Sequence, residues 1–233
     1  MKQLVFDLPR GQAFGRGDFF VSDSNAAAVR WIERWPEWPS PVLVLYGPRG
    51  AGKTHLAHLW CKRAAAILVE GATLDEAGLA QIIQRRSPRI AVDAADHAPE
   101  ALLLHLYNAA LEAGGSLLVN ARQAQGAWRP ALADLGSRLR AAPAAEIEPP
   151  DDSLLGAVLA KHFADRQVRV AREVVAYLVS RMERSLAAAG EIAAALDRAA
   201  LSRSGAITIP LANRVLAARA DHRASPDSDA GVV

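Results

Sequence analysis

Short apolar runs alternate with amphipathic stretches along the chain as far as residue 149. After an irregular start that carries Phe6, Phe14, Phe19 and Phe20, the residues Ala28, Val29, Ile32 and Trp35 fall at helical spacing behind Ser24 or Asn25, either of which fits an N-cap. The three prolines of WPEWPSP (35–41) end that helix. VLVLY (42–46), AILVE (66–70), RIAVD (89–93) and SLLVN (116–120) read as strands, with AEIEP (145–149) as a short last one. Between them GKTHLAHLWCKRAAA (52–66), TLDEAGLAQIIQRR (73–86, with Thr73 as its cap), PEALLLHLYNAALEAG (99–114) and PALADLGSRLRAA (130–142) read as helices. Strands alternating with helices predict a parallel sheet covered by helices on both faces, and unbroken apolar strands fit burial on both sides.

The pattern changes at EPPDDS (148–153). Beyond it every periodic stretch is helical: 153–166, 173–182, 185–203 and 210–219. The expected organisation is an N-terminal peptide (1–10), an α/β domain (11–149), a small helical domain (150–220) and a disordered tail (221–233).

Composition adds exclusions. At 51% hydrophobic and 22% charged, the 233 residues form an ordinary globular mix with ample material for a core. The net charge of +2, from 27 basic and 25 acidic residues, carries no global nucleic-acid footprint. A single cysteine, Cys61, excludes an internal disulfide and a cysteine-based zinc site, and mid-helix it reads as an inert thiol. No run approaches the about 20 apolar residues of a membrane helix, and MKQLVFDLPRGQ lacks the pattern of a secretory leader. A cytoplasmic protein without membrane contact is expected.

The chemistry concentrates in GPRGAGKT (47–54), which matches G-x-x-x-x-G-K-[ST] between a predicted strand and a predicted helix. Gly47, Gly50 and Gly52, with Pro48, Arg49 and Ala51 between them, allow the backbone N–H groups to curl inward around phosphate oxygens at the helix start. Lys53 is suited to the β- and γ-phosphates, Thr54 offers a hydroxyl to Mg²⁺, and His55 follows at the helix opening. Asp93, closing RIAVD, is the acid expected to hold the magnesium shell. His55 and His58 at i, i+3, with His97 further on, permit a metal cluster but fit packing better. Trp31, Trp35 and Trp38 can stack a purine or brace the core, and helical spacing favours the brace.

The order GPRGAGKTHLA, IAVD, LLVN, DLGSRL and a helical region carrying ITIP (207–210) resembles the AAA+ ATPases of the DnaA group, and within it the Hda branch of replication regulators, from Gln3 to about Arg219. The resemblance implies a P-loop AAA+ fold: a five-stranded parallel sheet whose central strand feeds the phosphate loop, followed by an all-α lid. It implies ADP or ATP with Mg²⁺ as ligand. Asn120 matches the polar position that senses the γ-phosphate, Arg138 in DLGSRL matches an arginine finger supplied to a neighbouring subunit, and Arg184 in MERSL is the candidate nucleotide-sensing lid arginine. Two departures stand out. Ala94 occupies the second acid position after Asp93, and counting back from ITIP puts the lid arginine position at Ala187.

Gln3, Leu4, Phe6 and Leu8 in QLVFDL resemble the hexapeptide by which bacterial proteins grip the sliding clamp, the beta subunit of DNA polymerase III. The resemblance therefore implies a regulator that docks on the clamp and stimulates ATP hydrolysis by DnaA, with homo-oligomers possible and no sequence-specific DNA binding, since the duplex-reading module of DnaA is not seen after PLANRVLAAR. The competing expectations are a self-standing AAA+ ATPase that loads a helicase or remodels DNA, and a small-molecule kinase. The first wants a complete acid pair after Asp93, and the second an acceptor pocket and a different lid.

Overall fold

The structure is a computed structural model that describes residues 19–85, 87–202 and 206–224. The chain divides into two compact units between Pro149 and Pro150.

The first unit contains α1 (Ala26–Arg34), β1 (Val42–Tyr46), α2 (Lys53–Ala64), β2 (Ile67–Glu70), α3 (Glu76–Gln84), β3 (Arg89–Asp93), α4 (Glu100–Glu112), β4 (Ser116–Ala121), α5 (Ala133–Ala141) and β5 (Ala144–Glu146). The strands form one sheet in the order β2-β3-β4-β1-β5, parallel throughout. Alternate strand residues feed opposite layers. Val42, Val44, Ile90, Val92, Leu117 and Val119 pack with Leu79, Leu103, Leu106, Leu135 and Leu139 from α3, α4 and α5. Leu43, Leu45, Ala91, Leu118 and Ala145 pack with Val29, Ile32, Leu56 and Trp60 from α1 and α2. Burial on both faces is why β1 and the middle positions of β3 and β4 are apolar without a break.

Several local expectations are corrected. β4 is the middle strand, and β1, which feeds the phosphate loop, lies second from the β5 edge. Thr73 does not cap α3: it closes a 3₁₀ turn at Gly71–Thr73, and the Asp75 carboxylate caps the helix by accepting the Gly78 N–H at 2.7 Å. Asn25 occupies the N-cap of α1 without a capping bond from its side chain. Its amide instead accepts from the Ser22 N–H and donates to the Phe20 carbonyl, both at 3.0 Å, and so ties down the incoming chain. The last strand sits slightly earlier than AEIEP, at Ala144–Glu146, because its partner is the end of β1.

The second unit holds α6 (Asp152–Asp165), α7 (Arg172–Val179), α8 (Leu186–Leu201) and α9 (Ile209–Ala224). Asp151 caps α6 by accepting the Leu154 N–H at 2.8 Å, and Ser185 caps α8 by accepting the Ala188 N–H at 3.3 Å. Its core is Leu155, Leu159, Phe163, Leu178, Ile192 and Leu196. α6 and α8 approach closely where the His162 ring covers Gly190: a Cβ there would lie 3.2 Å from the imidazole Nε2. Burial, reinforced by Arg166, holds the His162 pKa below its ordinary value, against an opposing pull from Asp165. The unfolded chain therefore binds this proton more readily than the folded unit. The stability it contributes is full above about pH 6.5 and is lost as pH falls through the lowered folded value. Melting from pH 7.5 to 5.5 should show a decline that is shallower in His162→Gln, and identical slopes would contradict this.

Candidate functional site

The site is built where β1, β3 and β4 end. Gly47 leaves β1 at φ 154°, and a Cβ there would lie 2.1 Å from the Ile147 carbonyl oxygen, so a side chain cannot occupy the start of the loop as it stands. The loop enters α2 through Gly52, left-handed at φ 110°. Lys53 folds back over the loop, its Nζ donating to the carbonyls of Gly47 at 2.7 Å and Pro48 at 2.8 Å. Burial lowers the Lys53 pKa, while the charges of Asp93 and Asp96 oppose that fall and Arg122 adds to it.

Asp93 is 7% exposed, and both its oxygens are engaged. Thr54 Oγ1 donates to one at 2.5 Å, and Asn120 Nδ2 donates to the other at 2.9 Å. This chain joins the helix after the loop to the tips of two neighbouring strands. Asn120 is fully buried, and its Oδ1 has no partner among the described residues. An orphaned buried acceptor is costly unless a donor reaches it, which marks the spot as polar by design. Thus Thr54, Asp93 and Asn120, singled out separately along the sequence, are brought together.

One contributor was not placed by the sequence. Ala94 adopts a left-handed conformation at φ 49°, and the 3₁₀ turn at Ala95–His97 reverses the chain. Asp96 thereby returns to the end of β4, where its Oδ2 accepts the Arg122 N–H at 3.3 Å, while its buried Oδ1 has no partner among the described residues. The only signal in the sequence was its proximity to Asp93.

The remaining candidates are dispersed. Arg49 is exposed on the loop, and His55 stacks on Phe19, with ring centroids 5.3 Å apart and planes at 17°. Arg138 projects from α5, its Nε donating to Asp134 at 2.9 Å and its guanidinium lying 5.4 Å from the Tyr107 ring centre. Arg184 belongs to the helical unit, where it donates to the Pro150 carbonyl at 3.0 Å and to Asp152 at 2.6 Å. Gln3, Leu4, Phe6 and Leu8 lie outside the described residues.

The tryptophans form a brace. Trp38 stacks on Trp60 at 5.5 Å and Trp35 meets it edge-on at 6.1 Å. Trp35 Nε1 donates to Ser116 at the start of β4, the opposite end of the strand from Asn120, which removes it from purine stacking at the loop. Among the described residues no three His, Cys, Asp or Glu side chains gather as a metal site, so the histidines do not form one. Cys61 is half-buried, and burial pushes its thiol up to about 11, so the inert thiolate-poor form prevails. No described helix is long and apolar enough to cross a membrane.

Residues 152–216 match the family model of the Hda lid domain. No curated protein matches the sequence. Among solved structures, domain III of the Thermotoga maritima replication initiation protein DnaA superposes with a TM-score of 0.72 at 16% identity, covering 85% of this chain and 93% of that one. A Thermotoga maritima RuvB mutant gives 0.69 at 15% identity, covering 85% of this chain and 70% of the other. A replication initiator DnaA bound to AMPPCP and single-stranded DNA gives 0.63 at 15%, covering 80% and 66%. The parallel sheet and the helical unit therefore have the AAA+ fold of these structures, and residues 152–216 are similar to the Hda lid domain.

Proposed function

We propose that this chain is a nucleotide-bound regulator of replication initiation. It holds ADP or ATP with Mg²⁺ at residues 47–54, docks through residues 3–8 on the DNA-loaded sliding clamp, and supplies Arg138 to ATP-bound DnaA, whose hydrolysis switches the initiator off. The observation that carries this reading is the Hda lid match at 152–216, joined to the intact phosphate loop on the same chain.

The residues present fit the nucleotide. The loop entry is too close to Ile147 for a side chain, Lys53 is a partly desolvated cation whose Nζ hydrogen bonds go to loop carbonyls, and Thr54 and Asp93 form an oxygen pair of the kind that holds a magnesium shell. Bound Mg²⁺ would offset phosphate charge. Lys53 would exchange its loop carbonyls for phosphate oxygens, and Asn120, already anchored to Asp93, would orient polar groups beside them. Lys53→Ala is expected to weaken nucleotide binding at least tenfold, about 1.4 kcal/mol. Titration calorimetry showing unchanged affinity would sink the nucleotide site.

Ala94, where a water-polarising acid is usual in this group, supports slow intrinsic hydrolysis and a working state loaded with ADP. A self-standing ATPase acting as a helicase loader or DNA remodeller is the second reading, favoured by the fold shared with RuvB, a Holliday junction branch migration motor. Rapid turnover by the purified chain without DnaA would select it. Hydrolysis of DnaA-bound ATP, measured with and without this chain and a loaded clamp, decides between the two.

A further inference from the structure

We infer that Asp134 and Tyr107 are positioning residues that aim the Arg138 guanidinium outward for use on another subunit; the inference rests on the trans-acting role proposed for Arg138.

α4 and α5 together build a mount. Glu100, in the first turn of α4, uses both carboxylate oxygens to accept the N–H groups of Ala131 and Leu132 at 2.9 and 2.7 Å, which ties down the chain just before α5 begins. Tyr107 lies seven residues later, two turns along and on the same face of α4. Its ring, 8% exposed and packed in the core with Leu135 and Leu139 of α5, supports the guanidinium of Arg138 at 5.4 Å. Asp134, one helical turn before Arg138, accepts from Nε alone.

That single point of attachment matters. A guanidinium recognises phosphate through a planar fork, and Nη1 and Nη2 are its outer prongs. Among the described residues neither prong donates to any acceptor. A carboxylate that gripped both prongs would sheathe the group. One that holds Nε while an aromatic face supports the plane removes rotamer freedom and leaves the prongs available. The Arg138 side chain is 37% exposed and that of Asp134 is 56% exposed, so the pair faces solvent and contributes little to folding. Its value is geometric, as fixing a charge in place before an encounter avoids ordering it later.

The test uses the full chain with ATP-bound DnaA and a DNA-loaded clamp. It compares the parent, Arg138→Ala, Asp134→Asn, Tyr107→Phe and Tyr107→Leu by maximal stimulated rate, half-saturating protein concentration and melting temperature. Asp134→Asn should lower the maximal rate at least tenfold with the other two quantities unchanged. Tyr107→Phe, which keeps the ring, should behave like the parent, and Tyr107→Leu should fall like Asp134→Asn. If Arg138→Ala is inactive while Asp134→Asn matches or exceeds the parent, the aiming role is overturned and the finger stands. A loss seen only in the half-saturating concentration overturns it equally. If Arg138→Ala stimulates like the parent, the finger reading fails and the mount fails with it.

Discussion

Arg138→Ala should leave nucleotide and clamp binding intact and abolish stimulated hydrolysis of DnaA-bound ATP. A guanidinium delivered to the γ-phosphate of a neighbour meets charge that develops only in the transition state, and such a group is worth ~10³–10⁵ in rate. Nothing in the local structure depends on Arg138 to the same degree. Its hydrogen bond to Asp134 is an exposed pair within one helix, and α5 is held by Leu135 and Leu139 in the core and by Glu100 at its entry. The variant should thus fold normally, which separates loss of function from loss of structure. Arg138→Lys should recover little, because an ammonium is a point charge without the planar fork. Single-turnover hydrolysis with an excess of this chain reads the effect. Parent-like stimulation by the alanine variant would contradict the assignment.

The second large effect is expected at the N-terminus. In QLVFDL an extended backbone sends Leu4, Phe6 and Leu8 to one side and Val5 and Asp7 to the other, so three apolar anchors can enter one groove. The Gln3 amide brings both a donor and an acceptor to a polar pocket. Losing one such anchor typically costs more than ~2 kcal/mol. The Gln3→Ala/Phe6→Ala variant should therefore lose clamp binding while keeping its nucleotide and its fold. Deleting residues 1–8 should barely change the melting temperature. A deletion that unfolds the α/β unit, or a double variant that still binds the clamp, would make the segment a core strut instead.

What could be read without a structure follows from how local each signal is. VLVLY, RIAVD and SLLVN are strands buried on both faces, so their composition alone announces them, and the parallel sheet follows from the helices between. Thr73 opens the helical pattern in the sequence, yet Asp75 adjoins the first turn of α3 and its carboxylate takes the N–H of Gly78. The bond between Asp93 and Asn120 spans 27 positions and requires knowing that β3 and β4 are neighbours. A single sequence does not carry strand order; the expectation of a central β1 comes from the family resemblance, and the sheet places β4 there instead. The reversal at Ala94 was equally hidden, since alanine gives no hint of a left-handed turn, and it is this turn that returns Asp96 to the strand ends. Trp60 on α2, the centre of the aromatic brace, was masked by the helical pattern that contains it.

The most direct measurement is the rate at which DnaA-bound ATP is hydrolysed in four mixtures: DnaA alone, with this chain, with the clamp loaded on DNA, and with both. The account predicts that the rate rises strongly only when chain and loaded clamp are present together, and that the rise disappears with Arg138→Ala. An equal rate in all four mixtures, or a rise that needs neither the clamp nor Arg138, would contradict it.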